Sequence, residues 1–219
     1  MRGKKLEYQL LADIGNSRVH IYDGKEVVHL LPDEAIAKFG TKKVNYISVN
    51  TPLEARIKAE TVWTNVSDKV YIPGEYETMG VDRRALCLSH DNGLFIDAGS
   101  AITVDVVERG VYKGGYILPG LSAMLGSYRQ ISDVLDVTLE RSLDLTRLPL
   151  TTKEQISYGI IASIKALIEK HRQNKPLYFT GGDGDFLAGF FQDAIYDEAL
   201  VFHGMKRALR ASEELGIRN

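Results

Sequence analysis

The chain has 219 residues, 44% of them hydrophobic and 26% charged, a balance that excludes a disordered polymer and predicts a globular chain able to bury a core without staples. A net charge of −2 with no basic stripe excludes a general pull toward nucleic acid or anionic lipid, and the single cysteine, Cys87, excludes an internal disulfide. No window approaches the ~20 apolar residues of a membrane helix, and the opening MRGKKLEYQ carries no signal-like apolar run, so a cytoplasmic protein with no nucleic-acid or membrane partner is expected.

In chain order, Leu6 to Ala12 is apolar and strand-like, ending on Asp13. Arg18 to Tyr22 alternates, and Asp23–Gly24 predicts a hairpin turn into a strand from Glu26 to Leu31. Asp33 is expected to cap a short helix to Phe39. VNYISVN, residues 44–50, has the pattern of a buried strand, and TPLEARIKAE predicts a helix with Thr51 as cap and Pro52 at its first position. After Asp91–Gly93 the pattern restarts. LFIDAG, ITVDVVE and VYKGGYIL are strands, and PGLSAMLGSYRQI opens a helix. Gln155 to His171 carries Ile156, Ile160, Ile161, Ile164, Leu167 and Ile168 on one helical stripe. PLYFTGG predicts a strand, Asp185 to Phe191 a short helix, ALVFHG a last strand and Met205 to Leu215 the closing helix. The order β-β-β-α-β-α therefore occurs twice. It predicts an α/β fold of two related halves, residues 1–91 and 92–219, with a cleft between them. Aligning Asp13 with Asp97 also aligns Gly15 with Gly99 and Val19 with Thr103.

Each half carries an Asp-x-Gly at the end of its first strand. Glycine there allows a tight turn and lets backbone N–H groups approach an anion. Asn16, Ser17 and Ser100 add small donors. A carboxylate beside such a loop can hold a hydrated Mg²⁺ that bridges phosphates. One such turn is usually only a turn; two at equivalent places point to a nucleotide. YFTGGDGD adds a third glycine turn, at Gly181 and Gly182, with Asp183 or Asp185 as a helix cap. There is no G-x-x-x-x-G-K-[ST] loop, no G-x-G-x-x-G and no G-x-S-x-G elbow. In MGVDRRALCLSH, Asp82 is either an N-cap or a general base for phosphoryl transfer to an alcohol, with Arg83 holding the acceptor. The five histidines, at 20, 29, 90, 171 and 203, show no metal-ligand spacing.

Taken in order, DIGNSR, GVDR, DAGSAITVD, GGYILPGL and TGGD resemble the type III pantothenate kinases, of the acetate and sugar kinase/Hsp70/actin superfamily, from about Leu10 to Ala211. The resemblance implies two ribonuclease-H-like domains and transfer of the ATP γ-phosphate to the primary hydroxyl of pantothenate, the first step toward coenzyme A. It implies Mg²⁺, K⁺ or NH₄⁺, and a homodimer whose substrate pocket lies at the subunit interface. Carried onto this chain, it assigns Asp13, Ile14, Gly15, Asn16, Ser17 and Arg18 to the first phosphate loop, with Asp13 near Mg²⁺. Gly80, Val81, Asp82 and Arg83 would bind pantothenate, with Asp82 as proton acceptor. Asp97 would ligate the monovalent cation, Ser100 would contact ATP, and Thr152 would contact pantothenate. A substrate-contacting tyrosine is expected at Tyr76, or else at Tyr71. Ser17 and Ser100 stand where the family usually has threonine, and Thr151 where it usually has asparagine. Two other functions compete: another small-molecule kinase or ATPase of the superfamily, and a non-catalytic accessory factor for transcription.

Overall fold

The computed structural model describes residues 9–217, so the predicted strand start at Leu6 to Tyr8 lies outside the described residues. The elements run β1 (Leu10–Ile14), β2 (Val19–Tyr22), β3 (Val27–Leu30), α1 (Pro32–Phe39), β4 (Val44–Ser48), α2 (Thr51–Glu60), β5 (Thr64–Asn65) and α3 (Val81–Leu88). They continue with β6 (Gly93–Ala98), β7 (Ala101–Glu108), β8 (Val111–Pro119), α4 (Leu121–Ile131), α5 (Thr152–Arg172), β9 (Leu177–Thr180), α6 (Gly184–Ala188), β10 (Ala194–Tyr196) and α7 (Leu200–Ile217). The strands form two five-stranded sheets, ordered β3-β2-β1-β4-β5 and β10-β9-β6-β7-β8. Counted from the first strand of each half, both are the same 3-2-1-4-5 arrangement, with antiparallel hairpins on one side of the first strand and parallel crossovers on the other. This is the α/β duplication the motif order predicts.

The chain divides into two compact units: residues 1–91, 110–112 and 199–219, and residues 92–109 and 113–198. The C-terminal helix thus groups with the first half, although it follows the second in sequence. In the first unit, β1 and β2 turn Ala12, Ile14, Val19 and Ile21 onto Ala35, Phe39, Ile57 and Trp63. α7 packs on α3, and Tyr22 of β2 stacks on Phe202 with ring centroids 5.3 Å apart. A Cβ on Gly204 would overlap the Ala85 carbonyl oxygen, so the two helices meet backbone to backbone. In the second unit, Leu94, Ile96, Ile102, Val104, Leu177 and Phe179 face the isoleucine stripe of α5.

Several local expectations change. β1 runs through Asp13 to Ile14, so Asp13 is the last residue but one of the strand. Pro32 opens α1 and Asp33 lies inside its first turn; the N–H of Leu31 is met by Glu34 at 2.9 Å. Asn50, not Thr51, caps α2, because its carboxamide oxygen reaches the N–H of Leu53 at 3.0 Å. ALVFHG is the start of α7, not a strand. Leu200, Val201, Phe202, Met205, Ala208 and Leu209 are all buried, a helical spacing that a short apolar run conceals. The last strand is the short, partly exposed Ala194–Tyr196, paired in parallel with β9. Finally, Ile14 pairs with Val19 but Ala98 with Ile102. The first turn is one residue longer, and Val19 corresponds to Ile102 instead of Thr103.

Candidate active site

The sequence-predicted residues fall on both units. Asp13 to Arg18, Tyr76 and Gly80 to Arg83 belong to the first, and Asp97, Ser100 and Thr152 to the second.

In the first unit the turn after β1 is closed by Gly15, whose N–H donates to the Arg18 carbonyl at 3.0 Å. Ile14 is buried and anchors the turn from below, while Asn16, Ser17 and Arg18 are exposed at its tip. Asp13 is half-buried in the strand that leads to it. The turn has a brace that sequence inspection missed. Asn50, at the end of the parallel neighbour β4, donates its carboxamide N–H to the carbonyls of Asn16 at 3.2 Å and Gly15 at 3.5 Å. The same side chain caps α2 through its oxygen, so one residue ties the helix N-terminus to the turn. Its only sequence signal is Asn before Thr-Pro, a helix-cap signal that carries no hint of the second contact.

A second group forms at the start of α3. Gly80 is the N-cap and Val81 the first helical residue. Asp82 therefore lies within the first turn, where the helix dipole favours its negative charge, and its Oδ1 accepts the N–H of Arg83 at 2.7 Å. Gly80 leaves room for that carboxylate, since a Cβ there would sit 2.5 Å from Oδ1. Arg83 is only 8% exposed. Its guanidinium donates to the Tyr76 hydroxyl at 2.6 Å and to the Tyr112 hydroxyl at 3.5 Å. Tyr76 is thus the tyrosine joined to the G-x-D-R segment, and Tyr71 is 62% exposed. Tyr112, from the start of β8, was not foreseen; nothing in VYKGGYIL marks it as a partner of Arg83, 29 residues earlier.

In the second unit three glycine segments converge behind Asp97. Gly99 closes its turn on the Ala101 carbonyl at 3.0 Å, and Gly120 donates to the Ser100 carbonyl at 3.1 Å. A Cβ on Gly120 would overlap the carbonyl oxygens of Gly99 and Ser100. Gly181 has φ +85°, and a Cβ on it would overlap Asp97 Oδ1 and crowd the Ala98 carbonyl oxygen. Asp97 Oδ1 and that carbonyl both pack against Gly181, an approach that a residue with a side chain would block. The Asp183 N–H donates to the Ala98 carbonyl at 2.9 Å, which ties the TGGD turn to the Asp97 strand. Thr152 is exposed in the first turn of α5, whose cap is Thr151. Among the described residues no group of three or more His, Cys, Asp and Glu is placed to hold a metal ion.

Comparison with known proteins places this geometry. A family model described as type III pantothenate kinase matches residues 48–174. The type III pantothenate kinase of Helicobacter hepaticus is 43% identical over 201 residues, covering 91% of this chain and 98% of the relative. That of Wolinella succinogenes is 39% identical over 206 residues, covering 94% and 98%. A crystal structure from Campylobacter jejuni, described as a Baf family transcriptional activator, superposes with TM-score 0.84 at 36% identity, covering 94% of this chain and 99% of that one. A Sinorhizobium meliloti protein described as a 2-dehydro-3-deoxygalactonokinase shares the fold at TM-score 0.58 and 12% identity, covering 93% and 96%. With two duplicated five-stranded sheets, a G-x-D-R helix start and relatives matched nearly end to end, the chain belongs to the type III pantothenate kinase family.

Proposed function

We propose that this chain transfers the γ-phosphate of ATP to the primary hydroxyl of pantothenate, with Asp82 as the base and Asp13 and Asp97 as the cation-holding carboxylates. Family membership makes it an ATP-dependent kinase for pantothenate, in the first step of coenzyme A synthesis. The observation that carries the assignment of Asp82 is its place in the first turn of α3 beside a buried Arg83 held by two tyrosine hydroxyls. In that position Asp82 accepts the hydroxyl proton as the oxygen attacks phosphorus. Arg83 and Tyr76, with Gly80 and Val81 shaping the backbone, hold the acceptor, and Thr152 is a further acceptor contact. Most of the rate in such transfers comes from positioning and charge stabilisation, so one aspartate is enough.

The phosphates lie on the turn Asp13–Arg18, where the N–H groups of Asn16 and Ser17 and the hydroxyl of Ser17 are the donors, and Ser100 is a further ATP contact. Asp13 would hold Mg²⁺, which would neutralise charge on the phosphates, and Asp97 would hold K⁺ or NH₄⁺. Ser17 and Ser100 keep the hydroxyl of the threonines usual in relatives. The chain works in the cytoplasm as a homodimer. What supports the dimer is the exposure of four large apolar side chains of the second unit, Ile131, Val134, Leu148 and Leu150, each at least 72%. Ile131 lines a groove of about 470 Å³ together with Leu118, Met124, Tyr128, Ile160 and Leu167.

The description of the Campylobacter jejuni relative as a transcriptional activator favours a second reading, a binding protein without turnover. A coupled ADP-release assay in Mg²⁺ and K⁺, with and without pantothenate, separates the two. Pantothenate-dependent ADP release is expected, and Asp82→Asn should lower kcat at least about 100-fold while ATP still binds. ADP release that ignores pantothenate would mean a plain ATPase, and none at all would favour the binding protein.

A further inference from the structure

The hairpin of β2 and β3 brings together two histidines that are nine residues apart. His20 and His29 are directly opposed across the ladder, so both side chains leave the same face of the sheet. Their rings meet edge-on, with centroids 4.7 Å apart and planes at 76°. The two Nδ1 atoms are in hydrogen-bonding contact. β3 is the edge strand of its sheet, His29 is exposed and His20 half-buried, so the pair is open to dissolved ions. Histidine at the edge of a sheet is common, but two ring nitrogens aimed at each other from opposed strands are a chelating arrangement.

We propose that His20 and His29 form a two-ligand site for a divalent transition-metal ion of the imidazole-preferring class, Zn²⁺ or Cu²⁺, with water completing the coordination. Zinc–nitrogen bonds of ~2.0–2.1 Å at a tetrahedral angle require the two nitrogens to stand roughly 3.3 Å apart. From hydrogen-bonding contact the rings need only part slightly, while the paired strands hold both Cα atoms in place, so little conformational freedom is lost on binding. In the neutral pair one Nδ1–H donates to the other Nδ1. The metal takes both Nδ1 lone pairs, the displaced proton passes through water to the Nε2 of its own ring, and no net proton is released. Mg²⁺ and K⁺ prefer oxygen ligands, so the site is chemically distinct from those assigned to Asp13 and Asp97. The inference does not depend on the kinase reading.

Metal-stripped, full-length protein titrated calorimetrically with Zn²⁺ in excess Mg²⁺ should bind one equivalent per chain. His20→Gln and His29→Gln should each weaken binding at least about tenfold, and His171→Gln should leave it unchanged. With Cu²⁺, electron paramagnetic resonance should show two equatorial imidazole nitrogens in the wild type and one in His29→Gln. Should a variant fail to fold, Zn²⁺ protection of His20 and His29 from diethyl pyrocarbonate in the wild-type chain reads the same contact. Equal Zn²⁺ affinity in wild type and His29→Gln, unprotected histidines, or Zn²⁺ displaced by Mg²⁺ would each overturn the site.

Discussion

Asn50 shows how much one side chain can decide at the residue scale. Its carboxamide oxygen caps α2 while its N–H groups hold the carbonyls of Gly15 and Asn16. Aspartate caps a helix as well as asparagine does, but it has no N–H to give and would set a carboxylate against two carbonyls. Asn50→Asp should therefore leave the melting temperature within about 3 °C of wild type while raising the KM for ATP about tenfold. A parallel loss of stability and ATP affinity would show that the residue serves only the helix. The turns after Asp13 and Asp97 and the helix start at Asp82 were legible in the sequence because each lies in a short motif with glycine or arginine beside it. Asn50 and Tyr112 were not, because their partners lie 34 and 29 residues away and only the folded sheet brings them close. The same holds for His20 and His29: their spacing fits no ligand motif, and cross-strand register alone makes them neighbours.

Among the elements, helices with a long apolar stripe were predicted well. Those decided by a terminal residue or by a buried environment were not. α5 is an example of the first, its isoleucines packed on β6, β7 and β9. α7 is an example of the second. Its opening residues, Leu200, Val201 and Phe202, are all apolar because one side faces β2 and another faces α3, so the polar half of the period is missing there. Gly204 lies at that second contact. Alanine favours an isolated helix by up to about 1 kcal/mol over glycine, so propensity predicts that Gly204→Ala stabilises. The overlap with the Ala85 carbonyl predicts the reverse. Because backbone cannot yield as a flexible side chain does, the substitution should cost about 2 kcal/mol or more and lower the melting temperature by roughly 5 °C. A stabilised variant would mean that α3 and α7 move apart easily.

For the whole molecule, duplication is the dominant fact, and it was visible in the repeated element order before any coordinates. The proposed dimer belongs to this scale too, since Leu148 and Leu150 are 78% and 92% exposed in the single chain. Two large apolar side chains left this open to water are a surface that a partner chain could cover. In sedimentation equilibrium the protein should have a mass near twice the 24.4 kDa chain, and Leu148→Asp with Leu150→Asp should shift it toward monomer at unchanged helix content. A wild-type monomer would contradict the dimer, and an unshifted double variant would place its interface elsewhere.

The sequence by itself determined the α/β class, the two-fold repetition, the positions of the three glycine turns and the family to which the motifs belong. Each of these rests on residues adjacent along the chain or on a period of two or 3.6, so local chemistry is sufficient. Only the tertiary structure decided that α7 joins the first unit, that Arg83 lies between two tyrosines, that Asn50 braces the turn after β1, that Gly181 faces Asp97 and that two histidines meet. Each of those depends on which distant segments the buried sheets bring into contact, and burial and register are properties of the folded chain.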